Sequence, residues 1–419
     1  MEIFLISKKK WVFLFFFVFP LQLVAEFKTG ADRLCSVPGK YLKGKRVGVL
    51  CHRASIVVRG RGDQEHLVDA LHRLSSRKGL NFSIAALFAP EHGFDGSAEA
   101  FAHVEHATHP KIGCPIFSLH HGKSRKPAPD MLKGIDLVII DLQEVGVRCY
   151  TYISTMINML EAAGMAKIPV LLLDRPNVIK SWGPAGDGVA IQQSSFLAKA
   201  DIPFIHGMTL GEIAKKHAKN LKCKLGVIAT QGNQAEAMRY LRRYFVPPSP
   251  NLPKLLSQLC YPMTVLIETT NYSEGRGTDS PFELFGAPWV LGEDLAKRLN
   301  SKKLLGVTFE AVSFTPQPNQ GDAKPKHNGK LCGGVQLKIT DRNVVKPLAV
   351  AHEILVALFE LYPSQSKWAP TALFGRAIDQ VMAGPAWRES IEGRIKGRVV
   401  NVASNAAGAN LVGQGVHVR

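Results

Sequence analysis

Acidic side chains stand directly behind apolar runs at three places in this chain. FSIAALFAP leads into Glu91, His92 and Gly93; LVIIDLQEVGVR carries Asp141, Gln143, Glu144 and Arg148; VLLLDRPN ends in Asp174, Arg175 and Asn177. One such acid ordinarily caps the helix that follows. Three on the rim of one sheet point to a site, because open parallel sheets bind ligands beyond the carboxyl ends of their strands. A fourth group, Glu268, Asn271, Glu274, Arg276 and Asp279 in LIETTNYSEGRGTDSPFELFGAPW, is too polar and too glycine-rich for a core element. It suits a loop that faces the rim across an interdomain cleft. Carboxyl groups paired in a cleft are the equipment of glycosidic-bond hydrolysis, in which one protonated acid gives its proton to the leaving oxygen.

Other chemistries find less support. No G-x-G-x-x-G follows a strand, and neither a Walker A loop nor a G-x-S-x-G elbow occurs. The S-x-x-K match at Ser364 to Lys367 lacks a Ser-Asp-Asn partner, and its companion Lys28-Thr29-Gly30 lies at the wrong end of the chain. His103, His106 and His109, with Glu105 and His92 nearby, have helical spacing, but Pro110 and the Gly93 turn leave little room for a helix. They read as surface histidines, and no metal or other cofactor is expected. The cysteines, Cys35, Cys51, Cys114, Cys149, Cys223, Cys260 and Cys332, contain no C-x-x-C pair. Buried small hydrophobes are the expected role for most, with one or two disulfides left open.

The elements that would position these residues follow from the alternation of apolar runs and amphipathic stretches between about Lys45 and Thr230. RVGVLC, FSIAALFAP, CPIFSLH, IDLVIIDL and IPVLLLD read as buried strands, with helices over about 63–77, 153–166 and behind Thr209, where Glu212 completes a capping-box pattern. Unbroken apolar strands separated by helices predict a parallel sheet covered on both faces, a doubly wound α/β domain. FVPPSPNLP, with four prolines in residues 245–253, marks a boundary. Behind it YPMTVLIETT, GVTFEAVSF and CGGVQLKITD read as strands, and 346–361 and 387–396 as helices, giving a smaller α+β domain. The expected divisions are 1–25, 43–245, 251–398 and a tail at 399–419.

The first segment places Lys8, Lys9 and Lys10 before an apolar run that Pro20 interrupts, with Leu23-Val24-Ala25 as a cleavage site before Glu26. That is the pattern of a signal peptide, and the run is short for a membrane span, although an uncleaved anchor is the rival reading. The expected location is periplasmic or secreted. A formal net charge of +18 over 419 residues favours anionic partners. No aromatic-interleaved basic block accompanies it, so nucleic acid is not expected, and peripheral association with anionic envelope surfaces is.

Taken together, FAPEHGF, DLQEVGVRCYTYIST, LLDRPN, IPFIHGMTLGEIA, PPSPNLP, YPMTVLIETTNYSEGRGTDSPFELFGAPW and CGGVQLKITDR resemble the DUF1343 family. Its characterised members are exo-β-N-acetylmuramidases of the NamZ type, which remove N-acetylmuramic acid from the non-reducing end of peptidoglycan fragments. The resemblance implies a Rossmann-like N-terminal domain, a smaller C-terminal domain and an active site between them. It implies Glu91 as the leading catalytic carboxylate, with Asp141 and Glu144 as further acids. His92, Arg148, Tyr150, Asp174, Arg175, Asn177, His206, Glu268, Asn271, Glu274 and Arg276 are implied as substrate-binding residues. Arg148, Arg175 and Arg276 supply guanidinium forks for the lactyl carboxylate of muramic acid. The chain departs from the family pattern at LCHRASI in the first loop, at Asp95 in EHGFDG, and at Glu144 in DLQE. A glycan-binding protein of the same fold with weakened or lost turnover is the alternative expectation.

Overall fold

The structure, a computed structural model, describes residues 27–60, 62–99, 104–120, 125–189, 194–370 and 377–397. The expected signal segment, the tail at 399–419 and His103 lie outside these residues. In chain order the strands are β1 (Arg46–Cys51), β2 (Ile56–Arg59), β3 (Asp63–His66), β4 (Ser83–Ala89), β5 (Ala107–Thr108), β6 (Pro115–Ser118), β7 (Leu137–Asp141), β8 (Val170–Leu173), β9 (Leu225–Ile228), β10 (Leu284–Ala287), β11 (Val307–Phe314) and β12 (Cys332–Ile339). The helices are α1 (Gly30–Ser36), α2 (Gly39–Leu42), α3 (Leu67–Ser75), α4 (Tyr152–Met165), α5 (Leu210–Ala218), α6 (Gln234–Tyr244), α7 (Leu255–Thr264), α8 (Gly292–Asn300), α9 (Pro347–Leu361), α10 (Ala377–Met382) and α11 (Ala386–Ile395).

Seven strands form one sheet in the order β5-β6-β4-β1-β7-β8-β9, parallel except for β5. Successive strand residues point to opposite faces, so each face has its own core. Leu50, Phe88, Val138, Ile140 and Leu172 pack with α4, α5 and α6 on one side. Val49, Leu87, Ile139 and Leu173 pack with α1 and α3 on the other. Thr209 caps α5 in the expected reciprocal box with Glu212. The smaller C-terminal part carries an antiparallel sheet in the order β10-β12-β11. Helix α9 joins the two parts. It sends Leu348, Leu355 and Val356 into the first core and Val350, Ile354 and Leu358 into that of the C-terminal sheet. A helix apolar all round is buried all round, and here it locks the two halves around whatever lies between them.

Two expected elements differ. The stretch from Asp63 begins as strand β3, paired antiparallel with β2, and becomes helical only at Leu67. YPMTVLIETT is not a strand: it ends α7 and continues as a 3-10 turn over Val265–Thr269. Val265 and Leu266 enter the first core while Ile267 enters the C-terminal one. A short apolar run buried on every side cannot be told from a buried strand by periodicity, and here tertiary contacts decided against its β propensity. All seven cysteines are free, five of them buried. Among the described residues no helix is long and apolar enough to cross a membrane.

Candidate active site

Glu91 lies just beyond β4, and residues 91–96 form turns, so there is no helix for it to cap. His92 and Gly93 are both left-handed, with φ of 72° and 81°, which reverses the chain directly behind the acid. A histidine in that conformation is uncommon, and such strain collects at functional sites. The ring Nδ1 of His92 lies 2.9 Å from the Ala98 carbonyl, and burial holds its pKa below the usual value, so the imidazole is neutral. Glu91 is left 5% exposed. The Thr151 hydroxyl donates to its Oε2 at 2.6 Å, and His120 Nε2 stands 3.9 Å from Oε1. The Tyr152 hydroxyl reaches the carbonyls of Glu91 and Pro248, at 3.3 and 2.9 Å.

The carboxyl of Glu91 faces a cavity of about 80 Å³ between the two halves of the molecule. The wall from the parallel sheet holds Glu91, His92, Tyr150 and Thr151; the opposite wall holds Tyr261, Glu268, Arg276 and Phe282. Ser249 and Asn251, from the proline-rich connection, close one side. Tyr150 packs its ring 4.7 Å from Tyr152 and edge-on to Tyr261 at 6.2 Å. Glu268 is thus the second carboxyl on the cavity. Burial pushes its pKa up, and the guanidinium of Arg276, in direct contact, offsets this only in part. Glu274 behaves differently: burial would raise it, but Lys326 at 2.9 Å and Arg276 at 3.3 Å hold its carboxyl below the ordinary value. An outer groove of about 550 Å³ shares Leu197, Glu268, Arg276 and Val381 with the inner cavity.

Several expected site residues are placed elsewhere, and their assignment is revised. Asp141, fully buried at the end of β7, takes Arg175 in a two-point ion pair, Nε to Oδ1 at 2.5 Å and Nη2 to Oδ2 at 2.8 Å. Burial alone would lower the pKa of Arg175, but the Asp141 charge outweighs it and keeps the guanidinium firmly protonated. Neither side chain lines the cavity. Glu144 accepts from the Gly146 amide and from His206, whose Nε2 lies 3.0 Å away. The Met208 amide donates to His206 Nδ1, so the ring proton sits on Nε2 and points at Glu144. Arg148 spends its guanidinium on the carbonyls of Asp187 and Ile202, at 2.6 and 2.9 Å, and burial pulls its pKa down to about 10. Asp174 accepts from Thr209 and the Gly211 amide at the start of α5, Asn177 braces the Met208 carbonyl and the Ile179 amide, and Asn271 ties down residues 365–367. Each of these residues finds partners inside the protein, as buried polar groups require, although among the described residues Glu144 Oε1 and Arg148 Nε have none.

Around Glu91 and its cavity stand residues that were not expected. Thr151 follows Tyr150 in the motif segment, and His120 ends CPIFSLH, where the same rule that singles out polar residues behind strands would have named it. Tyr261 carried no signal, because the stretch around it reads as a strand.

Comparison with known proteins agrees with this layout. Residues 47–256 match the family model described as exo-beta-N-acetylmuramidase NamZ, N-terminal, and residues 259–406 match its C-terminal counterpart. The chain belongs to the NamZ family. A relative from Bacillus subtilis (strain 168), named peptidoglycan beta-N-acetylmuramidase NamZ, is 38% identical over 369 residues, which cover 87% of this chain and 84% of that protein. Two DUF1343 crystal structures from Bacteroides fragilis NCTC 9343 also match. One is 30% identical with a TM-score of 0.75, the other 27% identical with a TM-score of 0.64, each covering 88% of this chain and 92% of its own. Within this NamZ-family chain two of the departures from the usual motifs, Asp95 and Glu144, have local partners. Asp95 accepts from the Ser97 amide and hydroxyl, and Glu144 fills its extra length by seating on the Gly146 amide.

Proposed function

We propose that this protein is a glycoside hydrolase that removes β-linked N-acetylmuramic acid from the non-reducing end of peptidoglycan fragments, with Glu91 as general acid/base. The carrying observation is the Glu91 carboxyl, 5% exposed, hydrogen-bonded by Thr151 and set on an interdomain cavity whose opposite wall holds Glu268. Two carboxyl groups in different environments are what glycosidic cleavage uses: one donates a proton to the leaving oxygen, the other assists from the far side of the sugar. We assign the second role to Glu268. The inner cavity of about 80 Å³ meets the outer groove of about 550 Å³ at Glu268 and Arg276, and the two together give a sugar room beside Glu91. The name of the Bacillus relative supports the sugar. Turnover of a chromogenic β-N-acetylmuraminide tests the reading. Glu91→Gln should lower kcat at least about a hundredfold with little change in melting temperature, and a fully active variant would end the assignment.

Export is part of the same proposal, since peptidoglycan lies outside the cytoplasm and Lys8 to Ala25 has the pattern of a cleaved signal. Intact-mass measurement on envelope material should find a chain beginning near Glu26. Residues 1–25 still attached would reject cleavage.

A further inference from the structure

The three arginines first considered for the anionic arm of the sugar are all engaged. Arg175 is held by Asp141, Arg148 by backbone carbonyls, and Arg276 by Glu268 and Glu274. A different arginine stands open on the outer groove. Arg125 lays its guanidinium 4.1 Å from the centroid of the Phe196 ring. Among the described residues its side chain makes no hydrogen bond and no ion pair, so its N–H donors are free for a ligand.

This platform is built on α4. The Ser154 hydroxyl donates to the Phe196 carbonyl at 2.6 Å, and the Asn158 amide donates to the Arg125 carbonyl at 2.8 Å. Residues four apart share one helix face, so a single face of α4 pins the backbones of both partners in the stack. The residue before that helix is Thr151, which holds Glu91. Phe196 also lies 6.3 Å, ring to ring, from His120, whose Nε2 is 3.9 Å from Glu91. The arginine therefore stands two side chains away from the catalytic carboxyl, across a groove continuous with its cavity. The acids of that groove are already occupied: Glu268 and Glu274 by Arg276 and Lys326, Glu99 by the Ala323 amide at 2.7 Å, and Asp322 by the Lys324 amide at 2.9 Å.

Resting on the muramidase reading, we propose that Arg125, stacked on Phe196, is the specificity residue that takes the lactyl carboxylate of N-acetylmuramic acid. A planar fork held in place before the ligand arrives loses little freedom on binding and matches a carboxylate at two points. N-acetylglucosamine lacks the carboxylate and gains nothing from it.

Calorimetry with the free sugars tests the proposal on the whole protein. Wild type should bind N-acetylmuramic acid at least about tenfold more tightly than N-acetylglucosamine. Arg125→Met should weaken the first by about 10- to 100-fold and leave the second unchanged, with Arg125→Lys between the two. On the chromogenic muraminide the same change should appear in KM, with kcat within about threefold of wild type. Equal losses for both sugars, or no loss for either, would overturn the assignment. Absence of turnover by wild type would instead overturn the hydrolase reading, and the calorimetric comparison would still decide Arg125.

Discussion

Replacing Asp141 by Asn separates a structural acid from a catalytic one. In the folded protein Asp141 is fully buried and Arg175 is 4% exposed, and the guanidinium also donates to the Ile56 carbonyl at 2.8 Å. Asp141→Asn keeps the shape but removes the charge that balances Arg175. Breaking one side of a buried ion pair costs about 3–5 kcal/mol, since the remaining charge stays desolvated. In a domain of roughly 200 residues each kcal/mol moves the midpoint by about 2–4 °C, so Tm should fall by about 10 °C. Muraminide turnover, measured well below that midpoint, should stay within a few-fold of wild type. The double variant Asp141→Leu with Arg175→Met should recover most of the stability, because an apolar pair of similar volume has no charge to bury. A single variant that melts like wild type and has lost turnover would refute the reasoning and return Asp141 to the chemistry.

Thr151→Val removes the hydroxyl that donates to Glu91 at 2.6 Å. A bond donated to the ionised form lowers a carboxyl pKa, so the Glu91-dependent limb of the kcat/KM profile should move to higher pH, and an unmoved limb would show that Thr151 has no hold on Glu91. His52 is fully buried, and burial first, then Arg175, holds its pKa well below the usual value. A depressed folded pKa gives stability that is present above the unfolded value of about 6.5 and lost as pH falls below it, at up to about 1.4 kcal/mol per unit. Urea midpoints should therefore drop from pH 7 to 5, and His52→Gln should flatten the slope. Arg148→Met should lower Tm without altering the preference for N-acetylmuramic acid over N-acetylglucosamine, and a selective loss of the former would put Arg148 back in the sugar site.

The α/β class and the acid behind β4 were legible from local pattern. Apolar runs such as IDLVIIDL, spaced by amphipathic helices, read as strands covered on both faces, and the Glu91-His92-Gly93 turn needs no partner to announce itself. The capping box at Thr209 and Glu212 is likewise a local device and formed as read. Residues alone could not tell which polar groups on the rim are spent. Asp141, Asp174, Glu144 and Arg148 look as functional as Glu91 in the sequence, and each is bonded to a partner 2 to 54 positions away. The opposite error concerned Tyr261 and the turn over Val265–Thr269, whose apolar run suggested a strand until two cores claimed its sides. Sequence sets which side chains are present and their local direction. Only tertiary contact decides which of them finds its hydrogen-bond partner inside the protein, and the carboxyls of Glu91 and Glu268 form the proposed site because folding set them on one cavity between the two halves.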